Sequence, residues 1–101
     1  MDCRNVVLEK SFEFAVRIVN LYRYLTADKK EFVLSKQILK SGTAIGDLVR
    51  EAQYAQSNAD FINKLSISLK EANETDYWLQ LLKRTDFIEL REFESLKTRY
   101  P

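Results

Sequence analysis

The sequence predicts an all-α protein, an antiparallel up-down four-helix bundle with a short fourth helix. Only two Gly and one Pro occur in 101 residues, which favours long helices over sheets and hairpins. Apolar side chains recur every three or four residues, as on one face of a helix. The connections between the periodic segments are short, which favours antiparallel neighbours. Residues 1–101 are therefore predicted to form one four-helix-bundle domain.

The first helix is predicted over residues 5–25. Its inward face is formed by Val7, Phe14, Ile18, Leu21 and Leu25. After the polar stretch TADKKE the chain restarts as a second helix that runs to about residue 55. We expect Asp28 and Glu31 to act as a capping pair for the first turn of this helix.

Apolar and small residues also mark an inward stripe on the second helix. The stripe comprises Leu34, Ile38, Ser41, Gly42, Ile45, Val49 and Ala52. Gly42 and Gly46 each cost about 1 kcal/mol relative to Ala within a helix. Close approach of another helix at these glycines is the favoured explanation, and a kink is the alternative.

The third helix is predicted over residues 58–83, with Ser57 as its N-cap and Asp60 three residues on. A fourth segment is predicted to start at Asp86 or Glu89 and to end by Pro101. This segment contains Leu90, Phe93 and Leu96.

The third helix is apolar on two sides, which predicts two packing partners. One arc contains Phe61, Ile62, Leu65, Leu69, Ala72 and Leu79, with Asp76 among them. The other contains Ile67, Trp78, Leu81 and Leu82, with Glu71 and Glu74 among them. Because one short chain cannot easily cover both arcs, we predict a homo-oligomer. The predicted seam that holds helices or subunits together consists of Gly42, Gly46, Glu71, Glu74, Asp76 and Trp78.

A carboxylate metal site is the alternative interpretation of the acidic residues on the third helix. Di-iron sites in helix bundles carry Glu-x-x-His pairs, and this sequence has no His. Cys3 is the only cysteine and lacks a visible activating partner, and no Gly-rich phosphate loop is present. We therefore predict no metal, no cofactor and no catalytic residue.

The composition also bears on partners and location. Sixteen Lys and Arg against fifteen Asp and Glu leave a net charge of +1, so no strong overall field attracts nucleic acid or membrane. No apolar run approaches the roughly 18 residues of a membrane span, and no signal-like segment follows Met1. A single cysteine fits a reducing compartment, so the chain is predicted to be cytoplasmic, with no membrane partner.

Basic residues nevertheless recur on the same side of a predicted helix. Lys29, Lys36 and Lys40 are seven and four residues apart, and Lys10 and Arg17 are seven apart. Repeated around an oligomer, such stripes could contact phosphate groups. The predicted nucleic-acid-binding residues are Lys10, Arg17, Lys29, Lys36, Lys40 and Arg50. An ordinary solvated face is the alternative interpretation.

Three stretches carry a family resemblance. KSFEFAVRIVNLYRYL, KEFVLSKQILKSGTAIGD and AQSNADFINKLSISLKEANETDYWLQLL resemble the bacterial four helix bundle protein family. Its members are also called 23S rRNA intervening-sequence or ribosomal protein twenty-three-like proteins. The family is similar to the accessory variability-determinant proteins of diversity-generating retroelements. The resemblance covers roughly residues 8–96.

The resemblance implies a homopentamer of small four-helix bundles without catalytic activity. It also implies RNA or a reverse-transcriptase-type ribonucleoprotein as a partner of the basic surface. Asp47 and Leu48 depart from the Ala-Asn that the family has after SGTAIG, and the fourth helix is shorter than in relatives. The resulting hypothesis is a non-enzymatic oligomeric scaffold that binds RNA or a ribonucleoprotein. The alternative is a protein-interaction module that binds no nucleic acid.

Overall fold

The computed structural model describes residues 3–97, with side chains described for residues 5–96. This part of the chain contains four α-helices and no β-strand. The helices are α1 (Cys3–Ala27), α2 (Leu34–Gln53), α3 (Asn58–Arg84) and α4 (Leu90–Lys97). The predicted all-α class is confirmed. The side chain of Cys3 and the predicted end of the fourth helix near Pro101 lie outside the described residues.

The core joins all four helices. Its largest fully buried side chains include Phe14 and Ile18 on α1, Ile38 on α2, and Leu79 and Leu82 on α3. Phe93 and Leu96 of α4 and Ile88 of the preceding turn complete it. Leu90, at the start of α4, is 57% exposed.

Two glycines let α1 and α2 approach closely. A Cβ atom added to Gly42 would lie 2.7 Å from Cγ1 of Ile18, and one added to Gly46 would lie 3.1 Å from the carbonyl oxygen of Ser11. The predicted close approach of another helix at both glycines is therefore confirmed, and that helix is α1 of the same chain. The pairs also show that α1 and α2 run in opposite directions, since a higher number on one helix meets a lower number on the other.

Small polar residues mark the contact between α2 and α3. Ser68 Oγ donates to the carbonyl oxygen of Ile45 at 3.0 Å, and the Thr75 hydroxyl lies 2.9 Å from Ser41 Oγ. Ser41 and Thr75 are fully buried. Thr75 Oγ1 is also 2.8 Å from the carbonyl oxygen of Glu71, which can only accept. The Thr75 hydroxyl therefore donates to Glu71, and the Ser41 hydroxyl supplies the proton between Ser41 and Thr75. These bonds fix the register of α3 against α2 from inside the chain.

The buried face of α3 lies between the two predicted apolar arcs and includes Leu79 from the first and Leu82 from the second. Leu69 and Ile62 of the first predicted arc are 63% and 62% exposed, whereas Leu82 of the second arc is fully buried. The buried face is centred on Ser68 and Thr75. Ser68 and Thr75 are polar, so the spacing of apolar residues does not mark them, and each predicted arc is centred to one side of the buried face.

The end of α3 carries a left-handed residue. Asp86 has φ 65°, the Asp86 N–H donates to the carbonyl oxygen of Lys83 at 3.1 Å, and the Phe87 N–H donates to that of Leu82 at 2.9 Å. This pair of bonds is a Schellman motif, which satisfies carbonyl groups that the helix leaves unpaired. It turns the chain so that α4 packs against α3.

The helix starts confirm one predicted cap and correct the other. Ser57 accepts a hydrogen bond from the Asp60 N–H at 3.1 Å, as predicted. The second helix begins at Leu34 rather than near Asp28, and its cap is Glu31 alone. The Glu31 carboxylate accepts from the N–H groups of Val33, Leu34 and Ser35 at 3.3, 3.0 and 2.7 Å.

Replacing Glu31 by Ala is expected to lower the free energy of unfolding by about 1–2 kcal/mol, since three N–H groups lose a charged acceptor. Asp28→Ala is the matched control, because the Asp28 side chain accepts no hydrogen bond in the described structure. Its expected effect is within about 0.5 kcal/mol. Urea denaturation of both variants measures the difference, and equal losses would contradict the assignment of the cap to Glu31.

Candidate functional site

The predicted basic residues lie on separate surfaces of the described chain. Lys36 and Lys40 are exposed on α2, and Lys10 is exposed on α1. Lys29 lies before α2 begins, with its Nζ 5.9 Å from the centre of the Tyr24 ring. Lys29 was predicted to share one side of the second helix with Lys36 and Lys40. That prediction is wrong, because the chain turns at Lys30, where φ is 55°, and α2 begins only at Leu34.

The two arginines of the predicted set already have intrachain contacts. Arg17 donates from Nη2 to Ser95 Oγ at 2.9 Å and from Nη1 to the Ser95 carbonyl oxygen at 3.4 Å. Arg50 places its guanidinium carbon 5.7 Å from the centre of the Phe12 ring. Arg17 thus links α1 to α4, while Arg50 covers part of an aromatic ring on α1. Within one chain the six basic residues do not converge.

The predicted seam divides between the interior and the surface. Gly42 and Gly46 face α1, as described above. Trp78 is half-buried against the core and meets the Tyr77 ring edge-on at 5.0 Å. The core of the same chain buries Leu82 fully and packs against Trp78, whereas Ile62 and Leu69 of the other predicted arc stay exposed.

The acidic residues of the seam do not form one cluster. Glu74 is exposed and Glu71 is half-buried, while Asp76 Oδ2 accepts from Gln80 Nε2 at 2.8 Å. Within the described residues, no group of three or more His, Cys, Asp or Glu side chains is arranged to hold a metal ion. The described helices also include none with the length and apolarity that a membrane span requires.

Exposed apolar side chains occur in several places, and two of these surfaces lie on α3 and α1. On α3, Ile62, Leu69 and Tyr77 are 62%, 63% and 59% exposed. Beside Leu69, a shallow groove of about 140 Å³ is lined by Val7, Leu65 and Ala72 among others. On α1, Phe12 and Val16 are 56% and 47% exposed.

A larger groove separates α1 from α4. It has a volume of about 580 Å³ and is lined by Arg17, Asn20, Leu21 and Tyr24 of α1 and by Arg91 and Ser95 of α4, together with Glu92 and Leu96. Sequence reasoning singled out Arg17 but missed the rest. The available signal was the helical spacing, since Arg91 and Ser95 are four residues apart and so share a face. No pattern in the sequence indicated that α4 would lie beside α1.

These features define a small all-α protein with polar and apolar grooves between its helices. The chain belongs to the 23S rRNA-intervening sequence protein family, whose model matches residues 4–101. The predicted resemblance is thereby confirmed. The chain is also similar to a crystal structure at 1.70 Å of a protein of unknown function from the S23 ribosomal protein family of Bacteroides thetaiotaomicron. The sequences are 64% identical and the TM-score is 0.94, with 95% of this chain and 86% of that chain covered. No curated protein matches the chain.

Proposed function

We propose that this protein is a non-enzymatic, cytoplasmic scaffold, a homo-oligomer of up-down four-helix bundles that binds RNA or a ribonucleoprotein. The observation that carries the proposal is the exposed apolar surface of α3, where Ile62, Leu69 and Tyr77 are each more than half exposed. A monomer rarely leaves neighbouring apolar side chains of this size in water, so a second copy of the chain is the proposed cover. A pentamer is the proposed assembly, in keeping with the family resemblance.

RNA enters the proposal through the family and the charge. The family description refers to 23S rRNA, and the similar crystal structure is assigned to a ribosomal protein family. Lys36 and Lys40 are exposed on one side of α2, free to contact phosphate groups. Repetition of this surface around an oligomer would bring together basic residues that stay apart in one chain. Lys10, Arg17, Lys29 and Arg50 remain part of the proposed surface.

The acidic residues and the tryptophan of the predicted seam remain in the proposal, as residues at or beside contacts between subunits. Asp76 lies about two helical turns from Leu69 on the same side of α3, so it would border the proposed subunit contact. Glu71, Glu74 and Trp78 lie on the other side of the buried face, next to the half-exposed Ile67. A second contact between subunits is proposed there.

One specific observation favours a pure protein-interaction module as the second candidate. Asp47 lies seven residues after Lys40, so its carboxylate shares the exposed side of α2 with the two lysines. With a net charge of only +1, the chain has little positive charge to spare. A reverse-transcriptase-type protein could then bind through apolar contacts alone.

The test combines light scattering with titration of a structured RNA at several salt concentrations. We expect a mass several times the 11.9 kDa of one chain. Leu69→Lys should dissociate the assembly and weaken RNA binding, whereas Gln56→Lys, in the exposed connection between α2 and α3, should do neither. Lys36→Gln with Lys40→Gln should keep the assembly and reduce the magnitude of the slope of log affinity against log salt by about 2 for each subunit that contacts the RNA.

The possible failures separate the candidates. An intact oligomer that binds no RNA at low ionic strength would remove the RNA scaffold and leave the protein-interaction module. A wild-type protein that stays a single chain at micromolar concentration would contradict both the assembly and the proposed cover of Leu69.

A further inference from the structure

The groove between α1 and α4 has the size and the chemistry of a small binding site. Its volume of about 580 Å³ falls within the usual range for ligand pockets, about 300–1,000 Å³. Two arginines line it, Arg17 from α1 and Arg91 from α4. We propose that this groove binds a phosphate monoester, such as a nucleoside monophosphate or the phosphorylated end of an RNA strand. The site lies within one chain and requires neither the proposed assembly nor the α2 lysines.

The arginines carry charge that the described protein leaves without a counter-ion. No carboxylate among the described side chains forms an ion pair with Arg17 or Arg91, whereas Lys64 pairs with Glu51. Arg91 is exposed and makes no hydrogen bond within the described chain. Two guanidinium groups that line one groove give it a positive potential that attracts an anion. A phosphate fits this need, because its oxygens match the fork of N–H donors on each arginine.

The Arg17 side chain is already held in place. Its two bonds to Ser95 fix the guanidinium at the groove wall, at 2.9 Å from Oγ and 3.4 Å from the carbonyl oxygen. A guanidinium has five N–H donors, so several remain for a ligand. Because the group is oriented before binding, less side-chain entropy is lost when an anion arrives.

Further polar groups add to the positive character of the groove. Asn20 supplies an amide and Tyr24 a hydroxyl, and the Lys29 ammonium lies 5.9 Å from the centre of the Tyr24 ring. Among the described residues, the carboxylate in the lining is that of Glu92, and its Oε1 accepts from the Glu89 N–H at 3.2 Å. This bond directs its negative charge towards the backbone at the start of α4. Even with Glu92 counted, the two arginines leave the groove lining positive.

The floor of the groove is apolar. Leu21 and Leu96 are 7% and 4% exposed, and both line the groove. An apolar floor excludes water from one side of a bound anion and so strengthens its interaction with the arginines. It also offers a surface for the uncharged part of a ligand. A monoester, which joins a phosphate to a larger group, suits this combination better than inorganic phosphate alone.

Calorimetric titration at low salt tests the proposal, with adenosine monophosphate and adenosine as paired ligands. We expect adenosine monophosphate to bind and adenosine to bind at least about tenfold more weakly. Arg91→Gln should weaken the binding of the monophosphate by about tenfold or more, because a charged donor is lost. Arg91 has no structural partner in the described chain, so the thermal midpoint of this variant should match that of the wild type.

Arg23→Gln is the matched control, since it removes the same charge from an exposed position on the outer side of α1. We expect it to change the affinity by less than about twofold. A short RNA with a 5′-phosphate, compared with its 5′-hydroxyl form, identifies the source of the phosphate. Arg91-dependent preference for the phosphorylated RNA, with no binding of free nucleotide, would assign the site to RNA ends. Failure of every phosphate ligand to bind, or equal losses for Arg91→Gln and Arg23→Gln, would overturn the proposal and would leave the oligomeric scaffold untouched.

Discussion

Replacing Leu79 by Ala is expected to lower the free energy of unfolding by about 2–5 kcal/mol. Leu79 is fully buried where α3 meets the core, so the substitution loses the transfer free energy of the deleted side-chain carbons and leaves a cavity. A domain of this size is stable by about 5–15 kcal/mol, so the variant should lose a large part of its stability. Urea denaturation followed by circular dichroism measures the change.

Leu69→Ala on the same helix is the matched control. Leu69 is 63% exposed, so within one chain its loss should change the free energy of unfolding by no more than about 0.5 kcal/mol. If Leu69 faces a second copy, its effect will grow with protein concentration, because assembly stabilises the folded state by mass action. The effect of Leu79→Ala should be independent of concentration. Equal and concentration-independent losses at the two positions would show that the buried face of α3 has been assigned incorrectly.

Replacing Gly42 by Val is expected to cost about 3 kcal/mol or more, because the α1–α2 contact has no room for a side chain. Even a single added Cβ would lie 2.7 Å from Cγ1 and 2.9 Å from Cγ2 of Ile18. Cγ2 is attached to the branched carbon of Ile18 and cannot rotate away without disturbing the fully buried side chain. Thermal unfolding measured by calorimetry gives the loss.

A double-mutant cycle that combines Gly42→Val with Ile18→Ala tests the stated cause. Truncation of Ile18 should make room for the side chain introduced at position 42, so the double variant should be more stable than the sum of the single losses by about 1–3 kcal/mol. Thr43→Val is the control for a β-branched residue in α2, since Thr43 is only half-buried and bonds to its own helix at Leu39. Its expected cost is below about 1 kcal/mol. Additive losses at Gly42 and Ile18 would indicate that a change within α2 itself, rather than the contact with α1, causes the destabilisation.

The two predictions probe different kinds of contact in the same core. Leu79 fills space that would otherwise be empty, whereas Gly42 leaves space that another residue must occupy. The close approach at Gly42 and Gly46 brings α1 against α2, and the hydroxyl contacts of Ser68 and Thr75 set α3 against α2. Apolar area therefore drives the packing, while glycines and small hydroxyl residues select its geometry.

For the proposed function, the main consequence of the fold is the change in which residues are exposed. Trp78 and Leu82 belong to one of the two apolar arcs that predicted self-association, and the core of the same chain buries Leu82 and packs against the half-buried Trp78. The exposed apolar surface passes instead through Ile62 and Leu69. Self-association thus remains a proposal, but the surface that it requires has moved around α3. The fold also changes which charged residues share a surface. Arg17 and Arg91 line the same groove, although no sequence pattern connected them.

The sequence by itself determined the class of the fold and most of the inward positions of α1 and α2. Phe14, Ile18, Leu21 and Leu25 repeat with the helical period, and an amphipathic helix with one partner side has only one way to bury such a stripe. The Ser57 cap was predictable for a similar reason, because it depends on atoms only three residues apart. Periodicity and local hydrogen bonds are properties of the chain itself.

Only the tertiary structure decided which side of α3 is buried and what α4 covers. α3 has apolar residues on two sides, so its own pattern allows more than one orientation. The orientation is selected by partners far along the chain, where Ser41 meets Thr75 and Ile45 meets Ser68. The groove lined by Arg17 and Arg91 likewise exists only because α4 lies beside α1 in the folded chain. Contacts between residues distant in sequence depend on complementary shapes and hydrogen bonds, and a repeat along one helix does not encode them.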